Sequence, residues 1–170
     1  STLCTKLVTR HTHIFGENKA SNSEEALKFW ELAKAKEKKQ DSVSDKLNSV
    51  PKTFGSVMRA NKVQKILHKV GFDFASAEDS AYKVTEELNE LLEAPLEKKE
   101  EDAGDLIFAA VNIARLYGID PEIALTRTIK KFIKRFEYVE KKAVEAGKKV
   151  SDCTLDEMES WYNEYKLFNR

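Results

Sequence analysis

Two pairs of carboxylates could do chemistry here: Glu87 with Glu90 in EELNELLEA, and Asp102 with Asp105 in EEDAGDLIFAAVNIAR. Residues three apart on a helix share a face, so each pair can converge on one ion. The second pair also runs into an apolar stripe. Leu106, Ala109, Ile113 and Leu116 form one row that continues back to Asp102, and Asp105, Ala109, Asn112 and Leu116 form its neighbour. Carboxylates on an inward-looking face call for a cation, since an unpaired buried charge costs on the order of several kcal/mol. A hard divalent ion such as Mg²⁺ suits them: it takes oxygen ligands and keeps waters that phosphate oxygens can replace. Gly104, inside the same helix, would let a neighbour or ligand come close.

Cations accompany the acids. Lys83 stands one turn before Glu87, Lys98 one turn before Asp102, and Lys131 and Arg135 lie four apart further on. Carboxylates for metal beside Lys and Arg for outer phosphate oxygens suit metal-bridged phosphates. Taken singly, such pairs are what any solvated helix carries. Two acidic pairs on consecutive helices, one aligned with a core stripe, favour a site.

The elements that must position these residues read as helices. Three Pro and six Gly in 170 residues leave little room for a fold of strands and tight turns. Ser23 ahead of Glu24 and Glu25 opens a helix through Ala26, Phe29, Trp30 and Ala33. Residues 40–55 are polar and turn-rich and read as a long loop. Met58 to Val70 is helical, stopping near Gly71. Ser76 and Asp79 start a helix whose apolar positions are Ala77, Ala81, Val84, Leu88 and Leu91, and after Pro95 another runs from about Glu97 to Tyr117. Asp120-Pro121 opens a long helix with a seam of Leu125, Ile129, Phe132, Phe136, Val139 and Ala143, suited to packing on another helix. Thr154 and Glu157 cap the last helix, which bears Trp161, Tyr165 and Phe168. The expected architecture is all-α, a helical bundle.

Composition narrows the class. Lys plus Arg and Asp plus Glu are 29 each, so no broad charge footprint points to nucleic acid as a polymer or to an anionic membrane. No apolar run reaches the ~18 residues of a membrane span. Cys4 and Cys153 have no metal-ligand spacing, which makes a reducing, cytoplasmic compartment the expectation. At the start, Leu3, Leu7 and Val8 fall at helical spacing without an upstream cap, so residues 1–22 read as an N-terminal arm, the end of a preceding domain, with 23–170 as the helical catalytic domain. His11 and His13 read as linker or capping residues, His68 as a surface or boundary residue and Trp30 as core. A di-iron bundle would need Glu three residues before His, and none of His11, His13 or His68 has it.

With these residues in view, the chain resembles the MazG family of nucleoside triphosphate pyrophosphohydrolases, whose signature is E-x-x-E on one helix and E-x-x-D on the next. RHTHIFG, MRANKVQKILHKVGFDF, KKFIKRFEYVE and LDEMESWYNEYK are similar to further family segments, in the family's order. The resemblance implies an all-α, homodimeric NTP pyrophosphatase fold and Mg²⁺-dependent hydrolysis of NTP to NMP and diphosphate, with Mn²⁺ as a substitute and little base selectivity. It places metal ligands at Glu87, Glu90, Asp102 and Asp105. Of these, a carboxylate not fully engaged with metal could take the water's proton, with Glu87 and Glu90 as candidates. Nucleotide contacts fall on Lys83, Lys98, Lys131, Arg135 and Tyr162. Three positions depart from the pattern. Asp102 replaces the usual Glu, Ile129 replaces an Asn, and the terminal Trp falls one place early, leaving Tyr162 in the aromatic position with Trp161 beside it. The alternative reading is a catalytically weak helical dimerisation or regulatory module.

Overall fold

The computed structural model describes residues 2–37 and 40–168, and among these there is no strand. The chain divides into two compact units, one up to Asn112 and one from Ile113 onward.

The first unit opens with α1 (Leu3–Arg10) and α2 (Thr12–Phe15), which pack on α3 (Ser23–Glu37). Contrary to the sequence reading, α1 has a cap: Thr2 Oγ1 accepts from the Thr5 amide at 3.4 Å. Helix α3 is capped one residue earlier than Ser23, by Asn22 Oδ1 accepting from the Glu25 amide at 2.9 Å. Trp30 is half-buried rather than core, with Lys34 Nζ 4.7 Å and Arg10 Cζ 5.8 Å from its ring. Such cations are attracted by the negative face of an indole. His11 closes α1, its Nδ1 lying 2.7 Å from the Leu7 carbonyl.

The stretch 40–55 is not all loop. It contains α4 (Val43–Asn48), which packs on α5 (Ser56–His68). Ser42 and Asp45 close a reciprocal capping box, in which each side chain accepts from the other residue's amide. That arrangement satisfies two of the amides a helix start leaves unpaired, so even one and a half turns persist. After the Gly71 turn, with φ of 80°, comes α6 (Ala77–Glu93), capped by Ser76 Oγ accepting from the Asp79 amide at 3.0 Å. Lys99, first residue of α7 (Lys99–Leu116), donates from Nζ to the Leu91 carbonyl at 2.8 Å and so closes the end of α6. Lys98 lies just ahead of α7, in the turn, where its carbonyl accepts from the Asp102 amide at 3.1 Å.

The buried row of α6 differs from the one its apolar residues suggest. Ala81 and Leu88 are exposed, whereas Ala77, Ser80 and Glu87 are buried, with Val84 and Leu91 half-buried between and beyond them. A carboxylate therefore occupies a core position.

In the second unit, α8 (Pro121–Glu145) packs against α9 (Leu155–Phe168). Asp120 Oδ1 caps α8 by accepting from the Glu122 and Ile123 amides, and Thr154 and Glu157 form the expected box at α9. The seam of α8 is covered only toward its end. Val139 and Ala143 are fully buried, but Ile129 is 51% and Phe132 56% exposed, and Leu125 and Phe136 are exposed with them.

Candidate active site

The buried Glu87 carboxylate lies 2.6 Å from Lys83 Nζ, which also reaches the exposed Glu86 at 3.2 Å. These bonds, Glu87 first and Glu86 second, hold the Lys83 ammonium protonated well above its ordinary range. The pairing has a plain cause: a carboxylate in a helix core row needs a cation, and i, i+4 spacing supplies one.

Lys83 and Glu87 open onto a cavity of about 490 Å³. Helix α5 contributes Gln64 and Leu67 to its walls, and the turn after it contributes Phe72, Asp73 and Phe74. Helix α7 adds Asp105, Phe108, Ala109 and Asn112. Gln64 ties α5 to α7, its Nε2 donating to the Phe108 carbonyl at 2.8 Å, and Asn112 Nδ2 reaches Ser80 Oγ on α6 at 3.4 Å. Helices α6 and α7 thus bring Lys83, Glu87 and Asp105 to one space that α5 helps to wall.

The other expected residues are placed differently. Glu90 is exposed and Asp102 half-buried, and neither lines the cavity. Among the described residues no three Asp, Glu, His or Cys side chains form a group that could hold a metal ion. Lys98 and Lys131 are exposed. In the second unit Arg135 Nη1 is 3.3 Å from Tyr162 Oη, with the guanidinium carbon 5.3 Å from the ring centroid. Lys166 Nζ lies 5.0 Å from the same ring, and the Phe132 ring 5.6 Å away. Trp161, next to it, is half-buried as Tyr162 is.

Two carboxylates at one cavity nevertheless fit Mg²⁺. This ion is commonly held by one or two carboxylates together with substrate phosphates, rather than by a full cage of protein ligands.

The sequence reading misses Gln64, Phe72, Phe74 and Phe108. The available cue at Gln64 was an amide in the row Val57, Asn61, Gln64, Leu67, where helical spacing turns one face inward. His68 is exposed as expected but has a partner, Asp73 Oδ2, 2.7 Å from its Nδ1. Gly104 has open space where a Cβ would stand. Gly104→Ala should therefore stabilise the chain by about 0.5–1 kcal/mol, the ordinary helix gain over Gly. Denaturant unfolding of the two forms checks this.

No family model matches the chain. Over 95% of its length it is 37% identical to the nucleoside triphosphate pyrophosphohydrolase of Escherichia coli (strain K12). Over 97% it is 32% identical to the Thermotoga maritima protein named nucleoside triphosphate pyrophosphohydrolase/pyrophosphatase MazG. The chain belongs to the MazG family. It spans 64% of the E. coli relative's own length and 63% of the T. maritima one. A further similar protein is the uncharacterized protein YabN of Bacillus subtilis (strain 168), 43% identical over 97% of this MazG-family chain and 35% of its own. Among the described residues, no helix is long and apolar enough to cross a membrane.

Proposed function

We propose that this MazG-family chain is a Mg²⁺-dependent nucleoside triphosphate pyrophosphohydrolase, converting NTP and water to NMP and diphosphate across a broad range of bases. The observation that carries the reading is the meeting of Lys83, buried Glu87 and Asp105 at one cavity. The names of its relatives agree with it.

Glu87 and Asp105 would hold the ion, while Glu90 and Asp102, three residues from them on α6 and α7, belong to the ligand set that the family resemblance implies but lie outside the cavity. Bound there, Mg²⁺ (or Mn²⁺ in its place) would acidify a water and screen phosphate charge. Lys83 now fills the cation place at Glu87. On substrate binding it turns to a phosphate oxygen, leaving the carboxylate for the metal. The water oxygen bonds to the α-phosphorus, and the bond to the bridging oxygen breaks with its electron pair leaving on diphosphate. A carboxylate oxygen of Glu87 or Glu90 that is not engaged with the metal would take the water's proton. Lys98 would stabilise charge as it moves to the leaving group, and Lys131 and Arg135 are the further phosphate contacts that the family resemblance implies. Tyr162, hydrogen-bonded to Arg135, orients that guanidinium. We place the enzyme in the cytoplasm, where its substrates are made, and read it as a homodimer.

Product identity tests the activity. A panel of NTPs with and without Mg²⁺ should give NMP and diphosphate, and only with metal. NDP with phosphate would make it another hydrolase, and no product would favour a dimerisation or regulatory module. Arg135→Ala should raise KM for every NTP alike by about tenfold or more, since a hydrogen bond to a charged group is worth roughly 1.5–3 kcal/mol. Steady-state kinetics over the same panel reads this, and selective loss for one base would move Arg135 away from the phosphates.

A further inference from the structure

We infer that the cavity of the first unit, rather than the Tyr162 ring, holds the nucleobase, with Phe72 and Phe74 against it and Gln64 Oε1 accepting from an N–H of its edge. This rests on the triphosphate reading above and adds where and how the base is gripped.

Four observations support it. At about 490 Å³ the cavity has the size of a small-molecule site, within the usual ~300–1,000 Å³. Gln64 is 5% exposed, and its Oε1 finds no hydrogen-bond partner among the described residues. The amide cannot simply turn over to cure this, because Nε2 is committed to the Phe108 carbonyl. A buried carbonyl oxygen left unpaired is costly, and a ligand donor would relieve it.

The third observation concerns the aromatic rings. Phe72 and Phe74 line the cavity yet are exposed, so packing among the described residues does not account for them. Their turn is held rigid. The Phe72 amide donates to the Leu67 carbonyl at 3.1 Å, His68 grips Asp73, and Asp73 Oδ1 accepts from the Phe74 amide at 2.9 Å. Rings presented on a fixed turn lose little entropy when a flat ligand arrives.

The fourth is the charged rim. Lys83, Glu87 and Asp105 border the same cavity, so a base inside it leaves its 5′-phosphates among the groups proposed to act on them. Tyr162 is a poorer platform, because Arg135, Lys166 and Phe132 already surround its ring. A lone acceptor also suits breadth, since adenine, guanine, cytosine and uracil each offer an N–H on the pairing edge.

The test is calorimetric binding of α,β-methylene ATP, which cannot be cut at that bond, beside inorganic triphosphate, which has no base. Phe74→Ala and Gln64→Met should each raise Kd for the nucleotide by about tenfold or more, the scale of losing one aromatic stacking partner or one hydrogen bond in a dry site. Kd for triphosphate should stay within about twofold, below the effect of any lost phosphate contact. Phe72→Ala serves if Phe74→Ala does not fold. Purine riboside triphosphate, lacking any base N–H, should bind the unaltered chain no better than α,β-methylene ATP binds Gln64→Met. Equal weakening of both probes would make the cavity merely structural. Nucleotide binding weakened by Tyr162→Ala and untouched by the cavity variants would put the base on Tyr162. Either result overturns the inference, as does a nucleotide bound no more tightly than triphosphate. Base-dependent binding without hydrolysis of ATP would instead sink the enzymatic reading and leave the base site standing.

Discussion

Asp105→Asn is expected to cut NTP hydrolysis by at least about 10²-fold, the scale of removing one charge-stabilising group at a reacting centre, while leaving the fold intact. The substitution keeps shape and removes one negative charge. Asp105 is exposed and has no ion pair among those found in the described residues, so folding loses nothing. What is lost is a cavity carboxylate proposed to meet the metal. Rate against Mg²⁺ concentration, with thermal melts alongside, checks this: the Mg²⁺ requirement should rise as kcat falls. Wild-type turnover at limiting Mg²⁺ would take Asp105 out of the site. Glu87 makes a less clean test, because Glu87→Gln also strips Lys83 of its closest partner.

Ile129→Asp should turn the proposed homodimer into a monomer. Its side chain lies on the uncovered part of the α8 seam, between exposed Leu125 and Phe132, so the isolated chain has no stake in its being apolar. A second copy presenting the same row would bury it, and a two-fold interface counts each substitution twice. Burying an unpaired carboxylate costs on the order of several kcal/mol, which should weaken self-association by at least about 100-fold. Sedimentation of both forms at micromolar concentration decides it, and a stable, active monomer of the unaltered chain would remove the homodimer from the proposal.

Most helix starts were legible because their causes are local. Ser76, Asp120 and Thr154 each satisfy amides within one turn, and the structure makes those bonds, to the amides of Asp79, of Glu122 and Ile123, and of Glu157. Ser42 with Asp45 carries the same signal. Its helix is too short for an apolar row, so the stretch reads as loop from composition. The opposite case is α8, whose seam is regular from Leu125 to Ala143 although only Val139 and Ala143 of it are buried. Periodicity reports which face is apolar and says nothing about how far a neighbour extends along it.

The candidate site divides in the same way. Sequence alone determined that Glu87 and Lys83 share a helix face and that Asp105 runs in line with Ala109 and Asn112, because helical spacing sets both. Only the tertiary structure decided that Glu87 lies in the buried row while Glu90 lies outside it. It also decided that Gln64 on α5 faces Phe108 on α7, and that Phe72 and Phe74 stand at a cavity also lined by Asp105. Those relations join residues between 31 and 44 positions apart or turn on which side of a helix meets its neighbours. Local spacing has the same period on every face of a helix, and burial is settled by what packs against it.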